Sequence, residues 1–226
     1  MIWRIEILIY LEEKFNLIPA SPVTLEEFVN FAQKQLVPVC ERLGTRLIAG
    51  WYTNSEWFSQ VTQIIEFDDM EALKAFRMKT SQDSAWGEYA ARLEDFAPER
   101  RSRLLEPLGP IQPKVLHKAI RRSQKKPLKV YLLATLEVAP NKMPDFLNGM
   151  EQASKMFPII ASWRPIGGSP NEVIDLWKGV KLITDGFITG YEPPNDFSRE
   201  FFTQLRQIAP KEHAELVFTL PYAQLR

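Results

Sequence analysis

The sequence predicts an α+β fold made of two copies of one structural unit. A strand-like run that ends near Trp51 is followed by a polar turn and a second strand from Val61. The same arrangement recurs at Trp163 and Val173, and both intervals between the copies are 112 residues. A unit of this length can fold but is too short to cover its own apolar sheet face, so we expect the two copies to pair.

The first copy shows strand-like alternation and helical apolar stripes in the order strand, helix, strand, strand, helix, strand. Thr24 and Glu27 form a predicted capping box, Gly44 a predicted helix end, and Pro38 a predicted kink. Residues 15–22 are predicted to be a loop. This order is typical of a ferredoxin-like unit. The predicted strands are 2–11, 46–53, 61–67 and 103–108, and the predicted helices are 24–44, 70–78 and 85–96.

The second copy repeats this order after a segment with three prolines and a basic stretch. We predict an exposed linker with a short helix at 110–127, because its charges lack the interleaved aromatic residues of a nucleic-acid surface. The predicted domains are therefore 1–109 and 128–226. The predicted strands of the second copy are 128–138, 159–164, 173–177 and 216–220, and its predicted helices are 143–157 and 197–208.

Composition excludes several classes of protein. Lys and Arg together balance Asp and Glu at 28 each, so no overall field favours nucleic acid or an anionic membrane. A single cysteine, Cys40, excludes an intramolecular disulfide and suits a reducing compartment. The sequence shows neither a signal-peptide pattern nor an apolar run of the ~18 residues that a spanning helix needs. We expect a cytoplasmic protein without nucleic-acid or membrane partners.

Residues 50–53 (Gly-Trp-Tyr-Thr), with the strand that follows, resemble the signature of the NIPSNAP family. Residues 171–177 (Asn-Glu-Val-Ile-Asp-Leu-Trp) resemble the next strand of that signature more fully. The resemblance implies a dimeric α/β barrel, here formed within one chain by two ferredoxin-like units. Leu8 stands where the family has arginine, so a site that uses that guanidinium is in doubt. If one half keeps a pocket, we expect it in the second copy.

The candidate ligand-binding residues lie on or beside the two central strand pairs. Two interpretations of their aromatic rings stay open: walls of a ligand pocket between sheet and helices, or ordinary core packing. Glu6, Arg164 and Asp175 are expected to point into the barrel. A buried carboxylate needs a partner, so we predict an Asp175–Arg164 pair across the hairpin. The candidates are Trp51, Tyr52, Trp163, Arg164, Asn171, Asp175 and Trp177.

Metal and cofactor sites are not predicted. His117 and His213 are the only histidines, and neither has a cysteine or carboxylate at ligand spacing, although some barrel relatives bind haem through one axial histidine. Cys40 has no paired histidine and is predicted to be a small buried hydrophobe. Asn54 and Asn171 are predicted to be turn residues.

Two functional hypotheses remain. The first is a barrel that binds a small apolar molecule, with a cofactor-less oxidoreductase reaction as one form of it. An incomplete similarity to cofactor-less monooxygenases of the same superfamily supports this form. It comprises Trp51, Tyr52, Asn54, Trp163, Arg164 and Asn171. The second is a non-enzymatic binding or adaptor module whose barrel interior is filled. The fold alone does not decide between them, and both a monomer and a homodimer stay open.

Overall fold

The computed structural model describes residues 8–179 and 196–226. Eight strands lie within these ranges. They are β1 (Ile9–Asn16), β2 (Arg46–Thr53), β3 (Gln60–Phe67), β4 (Arg100–Pro107), β5 (Val130–Glu137), β6 (Ile159–Pro165), β7 (Glu172–Lys178) and β8 (Lys211–Thr219). The helices described are α1 (Pro22–Leu43), α2 (Met70–Thr80), α3 (Ser84–Phe96), α4 (Pro113–Ser123), α5 (Met143–Met156) and α6 (Asp196–Ile208).

The described strands close into a barrel in the order β1-β3-β2-β8-β5-β7-β6-β4. This order confirms the predicted α+β class and the predicted intrachain barrel. The chain divides into two compact units. Unit 1 comprises the described residues up to Glu106, with Ile120–Pro127 and Phe218–Arg226. Unit 2 comprises Pro107–Ala119 and the described part of Leu128–Val217.

The two central hairpins, β2–β3 and β6–β7, have the same pairing at an offset of 112 residues. Both pairs are antiparallel, and the register shifts between Leu47 and Ala49 in the first and between Ile159 and Ala161 in the second. Opposite residues also correspond: Gly50 faces Gln63 in one hairpin, and Ser162 faces Asp175 in the other. The correspondence therefore extends to the β-bulge, which sets the side to which each following residue points.

In unit 1, α1 and α3 cover one face of the sheet with aromatic side chains. Phe28 and Phe96 meet edge-on at 5.8 Å between ring centroids, and Phe31 stacks on Tyr89 at 5.2 Å. These rings pack with the alternate residues of β1 and β3 that point to the same face. The result is a continuous apolar core between helices and sheet.

The predictions for the end of the first strand and for the cap of the first helix are wrong. Among the described residues β1 runs from Ile9 to Asn16, so it extends past its predicted end at Leu11, and Phe15 is a buried strand residue rather than part of a loop. The cap of α1 is Ser21, whose hydroxyl accepts a hydrogen bond from the Thr24 backbone amide at 3.1 Å, and Pro22 takes the first helical position. The predicted position of Glu6 lies outside the described residues.

The predicted end of the first helix is confirmed. Gly44 ends α1 with a φ of 72°, a left-handed conformation that a side chain disfavours. Asp69 caps α2 by accepting a hydrogen bond from the Ala72 amide at 2.8 Å. The short helix expected in 110–127 is α4. Its residues Leu116 and Ala119 are buried, so this segment is packed and not exposed along its whole length. Within 8–179 and 196–226, no helix is long and apolar enough to cross a membrane.

In unit 2, α5 and α6 cover the corresponding face of the sheet. Phe146, Met150 and Ala153 form the buried stripe of α5, at the spacing of one helix face. Alternate residues of β5 and β7 point toward this stripe, among them Ala134 and Asp175, which lie opposite each other. This face therefore holds a carboxylate among apolar side chains.

Candidate functional site

A cavity of about 100 Å³ lies within unit 2, between the helix-covered face of the sheet and the helices α5 and α6. The strands form its floor, and apolar side chains of the two helices form its walls. The lining residues that matter most are Leu136, Asp175 and Trp177 on the strands, Phe146 and Met150 on α5, and Phe201 on α6.

The sequence of α5 leaves room for this cavity. Gly149 lines it beside the buried residues Phe146 and Met150. A Cβ atom added at Gly149 would have no heavy atom within 4 Å. A larger side chain at this position of the cavity lining would therefore not overlap with neighbouring atoms.

Asp175 is the main polar group of the cavity. It is 2% exposed, and its Oδ1 atom is buried without a hydrogen-bond partner among the described residues. Burial raises the pKa of Asp175 to about 7, and the hydroxyl of Ser162 on the opposing strand offsets part of this effect. Near neutral pH this carboxyl group is therefore close to half ionised and can gain or lose a proton.

The other acidic side chains that line the cavity have cationic partners. Asp145 pairs with Lys142 at 2.8 Å, and Glu212 pairs with Arg206. Asp145 is half exposed, whereas Asp175 is buried. Asp175 is thus the lining carboxylate whose charge is left without a partner within the described part of the chain.

Trp177 supplies a second unsatisfied polar atom. Its indole Nε1 is buried and has no hydrogen-bond partner in residues 8–179 and 196–226. Its ring packs against Phe157 at 5.8 Å between centroids, and Phe157 in turn packs against Phe201 at 5.0 Å. Because Asp175 and Trp177 are two apart on β7, they point to the same face. The cavity floor therefore offers one acceptor and one donor among aromatic rings.

The corresponding place in unit 1 is filled by a side chain. Gln63 takes the position of Asp175, and its Oε1 accepts a hydrogen bond from the Tyr222 hydroxyl at 2.8 Å. The Tyr222 ring lies over Gly50, where an added Cβ would be 3.0 Å from the ring. Phe28 of α1 meets the same ring at 6.4 Å between centroids. In unit 1 the residue equivalent to Asp175 is thus covered by a phenol ring, whereas Asp175 in unit 2 lines a cavity.

Around Gln63, unit 1 holds a buried polar cluster that the sequence analysis missed. Glu13 lies opposite Gln63 on β1, and burial raises its pKa, with Arg100 partly counteracting the effect. Burial also raises the pKa of Tyr89, whose hydroxyl has no partner among the described residues. The sequence contained a sign of this cluster: in the alternating pattern of β1, Glu13 shares a face with apolar residues.

The NIPSNAP family model matches residues 19–110. This match confirms the resemblance for residues 19–110. The residues that line the cavity of unit 2 lie outside the matched range. No curated protein matches the sequence of the chain.

Solved structures share the fold over nearly the whole chain. A provisionally assigned monooxygenase of Lactobacillus acidophilus is 14% identical with a TM-score of 0.61, covering 95% of this chain and 94% of its own. One of Fusobacterium nucleatum is 8% identical with a TM-score of 0.61, covering 96% and 94%. An anthrone oxidase-like protein is 12% identical with a TM-score of 0.53, covering 95% and 91%. Such low identities establish the fold alone.

The structure brings two of the predicted site residues together, Asp175 and Trp177. Trp51 and Trp163 lie opposite Thr62 and Ile174, so they point to the other face of their strands, where both are almost completely buried. They do not line the cavity, because neighbouring residues on a strand point to opposite faces.

The remaining predicted residues lie elsewhere. The Tyr52 ring stacks on Phe218 at 5.3 Å, and Asn171 is a turn residue whose carbonyl accepts from the Val138 amide at 2.9 Å. The predicted Asp175–Arg164 pair is not formed. Arg164 is exposed, whereas Asp175 is buried on the helix-covered face and keeps an unpartnered oxygen.

Cys40 is buried, as predicted, and burial raises the pKa of its thiol to about 11. It therefore remains a thiol at neutral pH and is a poor nucleophile. Within the described ranges, no three His, Cys, Asp or Glu side chains are grouped to hold a metal ion.

Proposed function

We propose that unit 2 of this protein binds a small, mostly apolar molecule with one polar end. One observation carries the proposal: Asp175 Oδ1 and Trp177 Nε1 are buried without partners on the floor of an apolar cavity. Each buried polar atom without a partner costs about 1–3 kcal/mol. A ligand that donates to Asp175 and accepts from Trp177 removes that cost at both atoms.

The volume limits the ligand. An apolar cavity of about 150 Å³ holds a benzene molecule, and this one is about 100 Å³. The enclosed part is therefore smaller than the cavity that holds a benzene ring, and an aromatic ligand would extend from it between α5 and α6. The polar end then lies at the strands, because Asp175 and Trp177 are on the floor.

An oxidoreductase reaction on such a molecule is the enzymatic form of this proposal. A group with a pKa of about 7 is well suited to accept a proton near neutral pH, so Asp175 would act as the base. The names of full-length structural neighbours, two provisional monooxygenases and an anthrone oxidase-like protein, support this form. In unit 1 the Tyr222 ring fills the space beside Gln63, which favours the alternative, a non-enzymatic module, for that unit.

The test uses two matched glycine variants of the full chain. Gly149→Leu places a side chain in the cavity, whereas Gly87→Leu makes the same change on α3, where an added Cβ also has open space. Both changes replace a helical glycine and should not destabilise the protein. Binding of benzyl alcohol, an aromatic ring with one hydroxyl, is measured by saturation-transfer NMR.

We expect binding to the wild type and to Gly87→Leu, and at least a tenfold loss in Gly149→Leu. Equal binding to all three proteins would place the ligand elsewhere and overturn the proposal. An absence of binding to the wild type, combined with a native mass spectrum free of any small-molecule adduct, would also overturn it.

A further inference from the structure

We propose that the ligand of unit 2 is a phenol, whose hydroxyl donates to Asp175 as the Tyr222 hydroxyl donates to Gln63 in unit 1. This inference rests on the proposed function and names its ligand class. It comes from the register of the two hairpins, in which Gly50 and Gln63 correspond to Ser162 and Asp175. Unit 1 thus contains this arrangement with a phenol ring in place, and unit 2 contains it without one.

The occupied version shows how a phenol is held. The Tyr222 ring packs against a residue without a side chain, Gly50, and Phe28 of the first helix meets the ring at an interplanar angle of 67°. Its hydroxyl donates to Gln63 Oε1 at 2.8 Å, and the residue is 7% exposed. The arrangement has three parts: a small strand residue, an aromatic edge and a buried acceptor.

Unit 2 has the same three parts without the ring. Ser162 is the small residue at the Gly50 position, Phe146 of α5 is an aromatic residue of the cavity wall, and Asp175 is the buried acceptor. Asp175 and Phe146 line the cavity of about 100 Å³, and Ser162 lies opposite Asp175 on the neighbouring strand. A phenol therefore completes an arrangement that the chain already builds once.

Trp177 narrows the ligand class further. Its unpartnered Nε1 donates, whereas Asp175 accepts, so a single ligand group that satisfies both atoms must both donate and accept. A phenolic hydroxyl does both. An ammonium group has no acceptor and an ether has no donor, and each would leave one of these buried atoms without a partner. The cavity's other carboxylates, Asp145 and Glu212, already have cationic partners.

Three isomers with the same molecular formula test separately whether the ligand needs a phenolic hydroxyl and whether it needs a hydrogen-bond donor. p-Cresol is the tyrosine side chain itself, benzyl alcohol carries an aliphatic hydroxyl, and anisole carries an ether oxygen without a donor. Their affinities for the full-length protein are measured by titration calorimetry, and repeated with Asp175→Asn and Asp175→Leu. The asparagine variant keeps an amide oxygen like that of Gln63, whereas the leucine variant removes the acceptor.

We expect p-cresol to bind the wild type at least about tenfold more tightly than anisole, as one hydrogen bond to a buried group predicts. Benzyl alcohol should lie between them. Asp175→Asn should keep the preference for p-cresol, and Asp175→Leu should abolish it. Equal affinity of p-cresol and anisole, or a preference that survives Asp175→Leu, would overturn the phenol assignment while leaving the proposed function intact. Failure of all three isomers to bind would overturn both.

Discussion

Replacing Asp175 by asparagine should make this protein more stable at alkaline pH. Asparagine has nearly the same shape as aspartate but cannot ionise. Burial raises the pKa of Asp175 from its ordinary value of 3.8 to about 7. Above pH 7 the folded protein therefore holds a buried negative charge that the unfolded chain exposes to water.

The size and sign of the effect follow from proton linkage. A difference of about three pKa units, at roughly 1.4 kcal/mol per unit, corresponds to roughly 4 kcal/mol. Because the folded pKa is the higher one, this penalty is absent below pH 3.8, grows as the pH rises toward 7, and is complete above 7. The amide keeps an unsatisfied polar atom, which costs about 1–3 kcal/mol. We expect a net gain of about 1–3 kcal/mol at pH 8.

The assay is urea unfolding of the wild type and of Asp175→Asn at pH 8 and at pH 4.5. The variant should be more stable at pH 8. At pH 4.5 the ionisation penalty of the wild type falls to about 1 kcal/mol, so the gain should disappear or become a loss of up to about 2 kcal/mol. Asp145→Asn is the matched control, since Asp145 also lines the cavity but is half exposed and paired with Lys142. Its effect should stay within about 0.5 kcal/mol at either pH. A gain at pH 8 that persists unchanged at pH 4.5 would refute the reasoning.

Three further predictions concern unit 1 and its controls. Gly50→Ala should destabilise the protein by about 1–3 kcal/mol, because the new Cβ would lie 3.0 Å from the Tyr222 ring; Gly149→Ala, with open space, should be neutral or stabilising in the same thermal unfolding assay. Cys40 should react with a disulfide reagent at pH 8 at least about a hundredfold more slowly in the folded protein than in urea, since burial raises its pKa from 9.0 to about 11; a comparable rate would contradict the buried thiol. Ser21→Ala should cost about 1 kcal/mol in urea unfolding through loss of the α1 cap, and an unchanged midpoint would argue against that hydrogen bond.

The two hairpins were predicted almost to the residue. β2 is confirmed at Arg46–Thr53, and β3 begins only one residue before the predicted start at Val61. Two independent signals agreed there: the alternation within each strand and the recurrence of the pattern after 112 residues. A local signal supported by a second copy is harder to misplace than one that stands alone.

The end of β1 was predicted too early because the residues after Leu11 are charged. Glu12, Glu13 and Lys14 look like a solvated loop in the sequence, yet all three lie within the strand. Glu12 pairs with Arg103 of β4, and Glu13 lies opposite Gln63 of β3. Partners that are distant in sequence made these charges compatible with the sheet, and no local pattern reveals such partners.

The candidate site was predictable only in its strand residues. Asp175 and Trp177 stood out because residues 171–177 resemble a strand of the NIPSNAP signature and because Asp175 was expected to be buried. The charge partner chosen for Asp175 was wrong, since Arg164 lies near the strand end and is exposed. The role of Tyr222 was missed because the segment after β8 has no helical or strand periodicity, so nothing local indicated which surface it covers.

The composition of unit 1 has a consequence for the order in which the protein is made. Phe218–Arg226 belongs to unit 1, and within this segment Leu225 donates to the Ile48 carbonyl at 2.8 Å. A ribosome supplies this piece only after the whole of unit 2 has been synthesised. Although domains near the amino terminus usually fold first, here unit 2 has all its residues before unit 1 does. Until Tyr222 is synthesised, the apolar surface around Gly50 that its ring covers stays exposed on the nascent chain. We expect chaperones to bind that surface during synthesis.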